Sequence, residues 1–263
     1  MLIRHIADRW RHWRTGSASA DAISEQQWQA LEHRLPVLAH LTANERVNLR
    51  ALALEFVAQK QWYGAQGFVL GTDIRLAIAL QACLLVLKLG LQWYRDWVGI
   101  IVYPGDFVVP RQDVDDAGVM HEYDDAVLGE AWQGGPVLLS WIDDGADGNN
   151  GIQVVVHEFA HKLDMCNGVA DGLPSLHEDM SREEWSAAFN AAFEDFCVRV
   201  DRAEHAGIDT ALDPYASETP AEFFAVMSEA FFATPRLLLK EYPAVYAQLR
   251  LFYRQDPACS SPD

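Results

Sequence analysis

The apolar positions of this chain change period along its length, and the changes mark its elements. Ser24-Glu25-Gln26-Gln27 has the residues of a capping box, and Trp28, Leu31 and Leu35 follow at helical spacing. Thr42-Ala43-Asn44-Glu45 repeats the signal and leads into Val47, Ala51 and Leu54. A third helix is predicted from Thr72, as its cap, to Leu89, closed by Gly90. It is apolar nearly all round through Ile74, Ala77, Ile78, Leu80, Leu84, Leu85 and Leu87. It is too short to cross a bilayer and has Asp73, Arg75 and Lys88 near its ends, so it reads as a buried central helix.

From Trp97 to Trp141 the spacing becomes that of strands. Val98–Tyr103 and Phe107–Val109 flank Pro104-Gly105-Asp106 and are predicted to form a hairpin. Pro136–Trp141 is a further short apolar run. The stretch between holds Asp113, Asp115, Asp116, Glu122, Asp124, Asp125 and Glu130, and reads as a solvated acidic loop because it lacks the spacing of an EF-hand. A Gly/Asp/Asn-rich loop from Asp143 to Gly151 delivers the chain to a helix-compatible segment, Ile152–Met165. Ser181-Arg182-Glu183-Glu184 then opens a helix with a stripe of Trp185, Phe189, Ala192, Phe193, Phe196 and Val200. Tyr215–Phe232 forms another apolar segment, and the tail from Pro235 holds one or two helices interrupted near Pro243. The fold class expected is α+β and mostly helical, with a small mixed or antiparallel sheet. The expected organisation is a helical part, residues 1–95, packed on a core, residues 96–263, as one compact unit.

Composition narrows the function. Half of the 263 residues are apolar, as in a globular protein, and the net charge of −18 argues against a nucleic-acid-binding face. Met1–Arg14 carries arginines throughout and does not read as a secretory signal. It reads as a short amphipathic helix, either a loosely docked terminus or a contact for a membrane surface or partner. Cys83, Cys166, Cys197 and Cys259 are far apart, which suits reduced thiols and a cytoplasmic protein.

The chemistry lies in His157-Glu158-Phe159-Ala160-His161. On a helix, residues four apart share a face, so both imidazoles can aim at one point. Two neutral histidines suit a divalent ion, zinc above all, and Glu158 beside them is placed to act as a general base rather than a ligand. Asn149-Asn150-Gly151 offers an N-cap, and Val154, Val155, Val156, Phe159 and Leu163 anchor the segment in a core. Asp164 is either a partner for a ligand histidine or a surface residue. A catalytic zinc needs a third protein ligand. No histidine follows at the H-E-x-x-H-x-x-G-x-x-H spacing, so the ligand is sought in Thr219–Glu229. Spacing leaves Glu222 and Glu229 both open, and Glu222 has a second explanation as the capping-box partner of Thr219.

Val156–Asp164, Tyr215, the Pro220–Val226 run and Gly135–Trp141 together resemble the bacterial Mlc titration factor A family. The resemblance covers most of the chain. It implies a cytoplasmic zinc metallopeptidase with a zincin-like, specifically gluzincin-like, core similar to the catalytic domain of anthrax lethal factor. It further implies aminopeptidase-type activity on peptides, and binding of the glucose repressor Mlc that relieves repression of sugar phosphotransferase genes. Carried over residue by residue, His157, His161 and Glu222 would bind one zinc, Glu158 would be the base and Tyr215 would assist by donating to the oxyanion. Val137–Trp141 is expected to be an edge strand that pairs with an extended peptide.

Overall fold

A computed structural model describes residues 23–114, 120–141 and 150–259. The amphipathic reading of Met1–Arg14 lies outside them, as does Asn149 of the proposed Asn149-Asn150-Gly151 cap, while Asn150 and Gly151 are already helical. Contacts divide the chain into a unit of residues 1–30 and a unit of residues 31–263. The described part of the first holds the Ser24 cap, where Gln27 N–H donates to Ser24 Oγ and the Gln27 side chain accepts from Ser24 N–H. Helix α1 (Glu25–His33) follows.

The larger unit has a four-stranded sheet in the order β1 (Gln61–Gly64), β2 (Gly99–Tyr103), β6 (Val137–Ser140), β5 (Gly129–Ala131). The β1–β2 and β2–β6 pairs are parallel, and β5 runs antiparallel to β6 at the edge. The fold is thus α+β and mostly helical, with a small mixed sheet, as the sequence predicts. The β6 run was expected at the edge and is instead interior, buried along its whole length. The edge beside it belongs to β5, a Gly-Glu-Ala segment with no strand signal of its own.

The predicted hairpin of residues 98–103 with 107–109 does not form. β2 is drawn into the parallel sheet, and β3 (Phe107–Val114) pairs antiparallel with β4 (Met120–Val127). The acidic stretch is therefore in large part a two-stranded ribbon rather than a loop. Pro104-Gly105-Asp106 turns the chain out of one sheet into the other, with Tyr103 and Phe107 stacked across the turn at 4.3 Å.

Helix α2 (Ala43–Gln59) opens on a full capping box between Thr42 and Glu45. It buries Leu49, Ala53 and Phe56, while Val47 and Leu54 are exposed. Helix α3 (Thr72–Leu85) has Gly71 at its cap and stops four residues short of Leu89. It is the central helix expected, with every residue from Leu76 to Leu85 buried. Helices α4 (Asn150–Asp164), α5 (Arg182–Ala206), α6 (Pro220–Ala233), α7 (Pro235–Glu241) and α8 (Pro243–Tyr253) complete the unit. Ser181 caps α5, and Trp185, Phe189, Ala192, Phe196 and Val200 form its buried stripe. Helix α4 packs on α6, α3, β5 and β6, which sets it between the sheet and the helix that faces it.

Candidate metal centre

Helix α4 is anchored from within. Val154, Val155, Val156, Phe159, Ala160 and Leu163 are buried, and Phe159 meets the rings of Phe56, Tyr94 and Trp97. That anchoring fixes the azimuth of the helix, so His157 and His161 both face α6. Their rings lie 4.7 Å apart, centroid to centroid, and His161 Nε2 is 3.1 Å from His157 Nε2.

Helix α6 supplies the facing carboxylate. Thr219 caps it and Pro220 takes its first position, where a missing N–H does no harm. The Glu222 N–H donates to Thr219 Oγ1 at 3.1 Å, but its side chain does not complete the capping box. Glu222 Oε2 lies instead 2.9 Å from His157 Nε2 and 3.2 Å from His161 Nε2. His157, His161 and Glu222 are the donor group among the described residues that can hold a metal ion. Tetrahedral bonds of about 2.0–2.1 Å put ligand atoms roughly 3.3 Å apart, close to the spacing seen here. Two imidazoles and one carboxylate therefore fit a divalent cation in both chemistry and size. Structural sites usually close with four protein ligands, whereas this group offers three.

Glu229, the other candidate, faces the opposite nitrogen. Its Oε1 accepts from His157 Nδ1 at 2.6 Å. A carboxylate on the far nitrogen fixes the tautomer and orientation of a metal-binding histidine. Burial raises the Glu229 pKa, although its bond to His157 opposes the rise. Burial works against charge on His157 too, but Glu222 and Glu229 outweigh it and pull the imidazole up to about 10. Burial also opposes ionisation of Glu222, and the two histidines override it, holding this carboxyl down to about 2.

Glu158 points from α4 toward the edge strand and is 6% exposed. Burial pushes its pKa up to about 8, with His157 opposing the rise and Glu222 and Glu130 adding to it. A Cβ at Gly129 would collide with the Glu158 carboxylate, so the glycine lets β5 run directly against this group. Tyr215 lies on a 3₁₀ turn, Pro214–Ser217, fixed by the Asp213 side chain, which accepts the Tyr215 N–H. Its ring is half-exposed and 6.0 Å from that of His157. Cys166 lies outside the donor group, its Sγ near Trp93 O at 3.4 Å, and all four cysteines are free.

One feature escaped the sequence reading, and one alternative it left open is closed. Lys162, next to His161, is buried, and its ammonium donates to Trp132 O at 2.5 Å and Gly135 O at 2.9 Å. It ties the β5–β6 turn to α4, and burial lowers its pKa to about 8. Nothing local marked it, since the same helix holds His157, Glu158, His161 and Asp164 and a further charged residue does not stand out. Asp164 is not a surface residue: it is fully buried. Burial raises its pKa to about 7, against the N–H of Gly172.

Comparison with known proteins points to a metallopeptidase family. The family described as Glucose-regulated metallo-peptidase M90 matches residues 8–254. Mlc titration factor A of Salmonella gallinarum (strain 287/91 / NCTC 13346) is 38% identical over 228 residues, 85% of this chain and 84% of that protein. The Mlc titration factor A proteins of Salmonella enteritidis PT4 (strain P125109) and Salmonella typhi show the same identity and coverage. With a match across almost its whole length and relatives this similar, the chain belongs to the Mlc titration factor A family of M90 metallopeptidases.

Proposed function

We propose that this chain is a zinc-dependent peptidase of aminopeptidase type that also binds an Mlc-like repressor in the cytoplasm. The convergence of His157 Nε2, His161 Nε2 and Glu222 Oε2 within 3.2 Å of one another, beside a buried carboxylate, supports the hydrolytic part most strongly. Zinc held there by His157, His161 and Glu222 would supply positive charge that polarises a carbonyl and lowers the pKa of water.

The chain's own residues do the rest. Glu158 takes a proton from water and passes it to the leaving amine. Tyr215, beside His157, donates its hydroxyl to the developing oxyanion, a contribution of about 3–4 kcal/mol for such donors. The edge strand β5 offers backbone groups to an extended peptide, the part first assigned to Val137–Trp141. Lys162 holds the turn at the end of that strand, and Gly129 keeps the strand close to Glu158.

The name of these relatives, Mlc titration factor A, supports the second activity. An alternative reading makes repressor binding the whole function and the zinc site mainly structural or regulatory. Metal content and peptidase turnover on one sample, with and without chelator, separate the two. Turnover that follows zinc is expected, and stoichiometric zinc without turnover on any peptide would favour the alternative. Glu158→Gln is expected to keep repressor affinity within a few-fold, because a partner patch of about 800 Å² extends well past one buried side chain. Loss of repressor binding in a folded, metal-loaded Glu158→Gln would mean that the repressor enters the catalytic cleft.

A further inference from the structure

Beside the metal cluster, two fully buried polar atoms have no hydrogen-bond partner among the described residues: His161 Nδ1 and Asp164 Oδ1. They lie three residues apart on α4, a spacing that places side chains on one face. A neutral histidine that gives Nε2 to a metal carries its proton on Nδ1. His161 Nδ1 is then a buried donor in need of an acceptor, and Asp164 Oδ1 is a buried acceptor in need of a donor. Contact between them, directly or through one buried water, satisfies both. His157 already has such a partner in Glu229 at 2.6 Å.

The second oxygen of Asp164 is committed elsewhere. Oδ2 accepts the Gly172 N–H at 2.8 Å. Gly172 has φ +80°, and a Cβ there would meet Pro220 O at 2.5 Å and Pro220 C at 3.0 Å. The backbone of residue 172 therefore lies against the first residue of α6, two positions before Glu222. Trp185, 1% exposed, donates Nε1–H to Gly172 O at 3.0 Å and holds the same residue from α5.

We propose that Asp164 is a positioning residue for two ligands at once, orienting His161 through Oδ1 and fixing the start of the Glu222 helix through Oδ2 and Gly172. This rests on the metal reading of the cluster and on no hydrolytic activity. It differs from simple anchoring of a loop, because a loop anchor needs one acceptor while this role needs two.

Asp164→Asn makes the distinction, since the amide keeps nearly the same shape but has one acceptor oxygen for two donors. Zinc affinity of the full chain is measured by competition with a chromophoric chelator, alongside the melting temperature of the metal-free protein. The expected result is a dissociation constant about 10–100-fold weaker with little change in melting. A folded Asp164→Asn that binds zinc within threefold of wild type overturns the proposal. Should Asp164→Asn fail to fold, the histidine ¹H–¹⁵N spectrum of zinc-loaded wild type decides. A His161 Nδ1 proton protected from exchange supports the proposal, and a freely exchanging one overturns it. Gly172→Ala tests the Glu222 arm: it should weaken zinc binding by pushing on Pro220, and an unchanged constant overturns that arm. A wild-type chain that takes up no zinc would overturn the metal reading itself, and this role with it.

Discussion

The two nitrogens of His157 look into two different regions, and the same residue type answers each. On the Nε2 side, His161 and Glu222 converge at the first turn of α6. On the Nδ1 side, Glu229, seven residues further along the same helix, makes a single bond. Helical spacing puts the two glutamates on one face, yet their carboxyls are driven apart. Glu222 is held down to about 2 by two imidazoles, whereas burial pushes Glu229 up. Spacing sets the candidates, and the depth of each turn relative to α4 sets the role.

The comparison breaks most visibly at the metal. Glu222→Ala is expected to lose stoichiometric zinc, and Glu229→Ala to keep it with affinity about 10–100-fold weaker. Metal analysis after dialysis that shows the reverse would exchange the two roles. Glu158→Gln should leave the metal in place and lower peptide hydrolysis by about 10²–10⁴-fold. Near-wild-type turnover in that variant would remove Glu158 as the base.

The smallest effect is a proton count. With an imidazole pulled up to about 10 by Glu222 and Glu229 despite its burial, metal-free His157 carries a proton at neutral pH. An ion binding through Nε2 must displace it. Binding at pH 7 should therefore release at least one proton, measurable with an indicator dye, and affinity should rise with pH until about 10. In Glu229→Gln the release should shrink, because one of the two carboxylates that hold the proton is gone.

The helices that carry the metal centre were legible because local chemistry and burial agree there. The H-E-x-x-H pair, the Thr219 cap and the Pro220 start each fix a position within one turn. Elsewhere the sequence offered equivalent choices. In α2, Val47, Ala51 and Leu54 have the same spacing as Leu49, Ala53 and Phe56, shifted by two residues, and only the second set is buried. Periodicity cannot choose between such sets when both are apolar, and tertiary packing does. The failure at residues 98–109 has a different cause. Pro104-Gly105-Asp106 is a sound turn, but parallel partners for β2 lie some forty residues away on either side, beyond the reach of a local rule. β5 was missed because Gly129-Glu130-Ala131 has no β-branched or aromatic residue, and its pairing with β6 makes it a strand. The burial of Lys162 was invisible, and the choice left open for Asp164 could not be made, because their partners, at residues 132, 135 and 172, are set by the tertiary fold.

The order β1-β2-β6-β5 also has a kinetic side. β5 and β6 are joined by a short turn, so their pairing needs almost no loop closure. The parallel pairs must bring together segments more than thirty residues apart, with α3 and the β3–β4 ribbon spooled between them. Chain-closure entropy makes such long-range pairings the slow step of assembly. The edge that flanks Glu158 can therefore exist as a nascent hairpin while the sheet behind it is still unmade. During refolding, amides of residues 129–140 should gain some protection from exchange early, and those of 61–64 late. Until β2 docks, the nascent pair leaves the inner edge of β6 bare, a ready template for another chain.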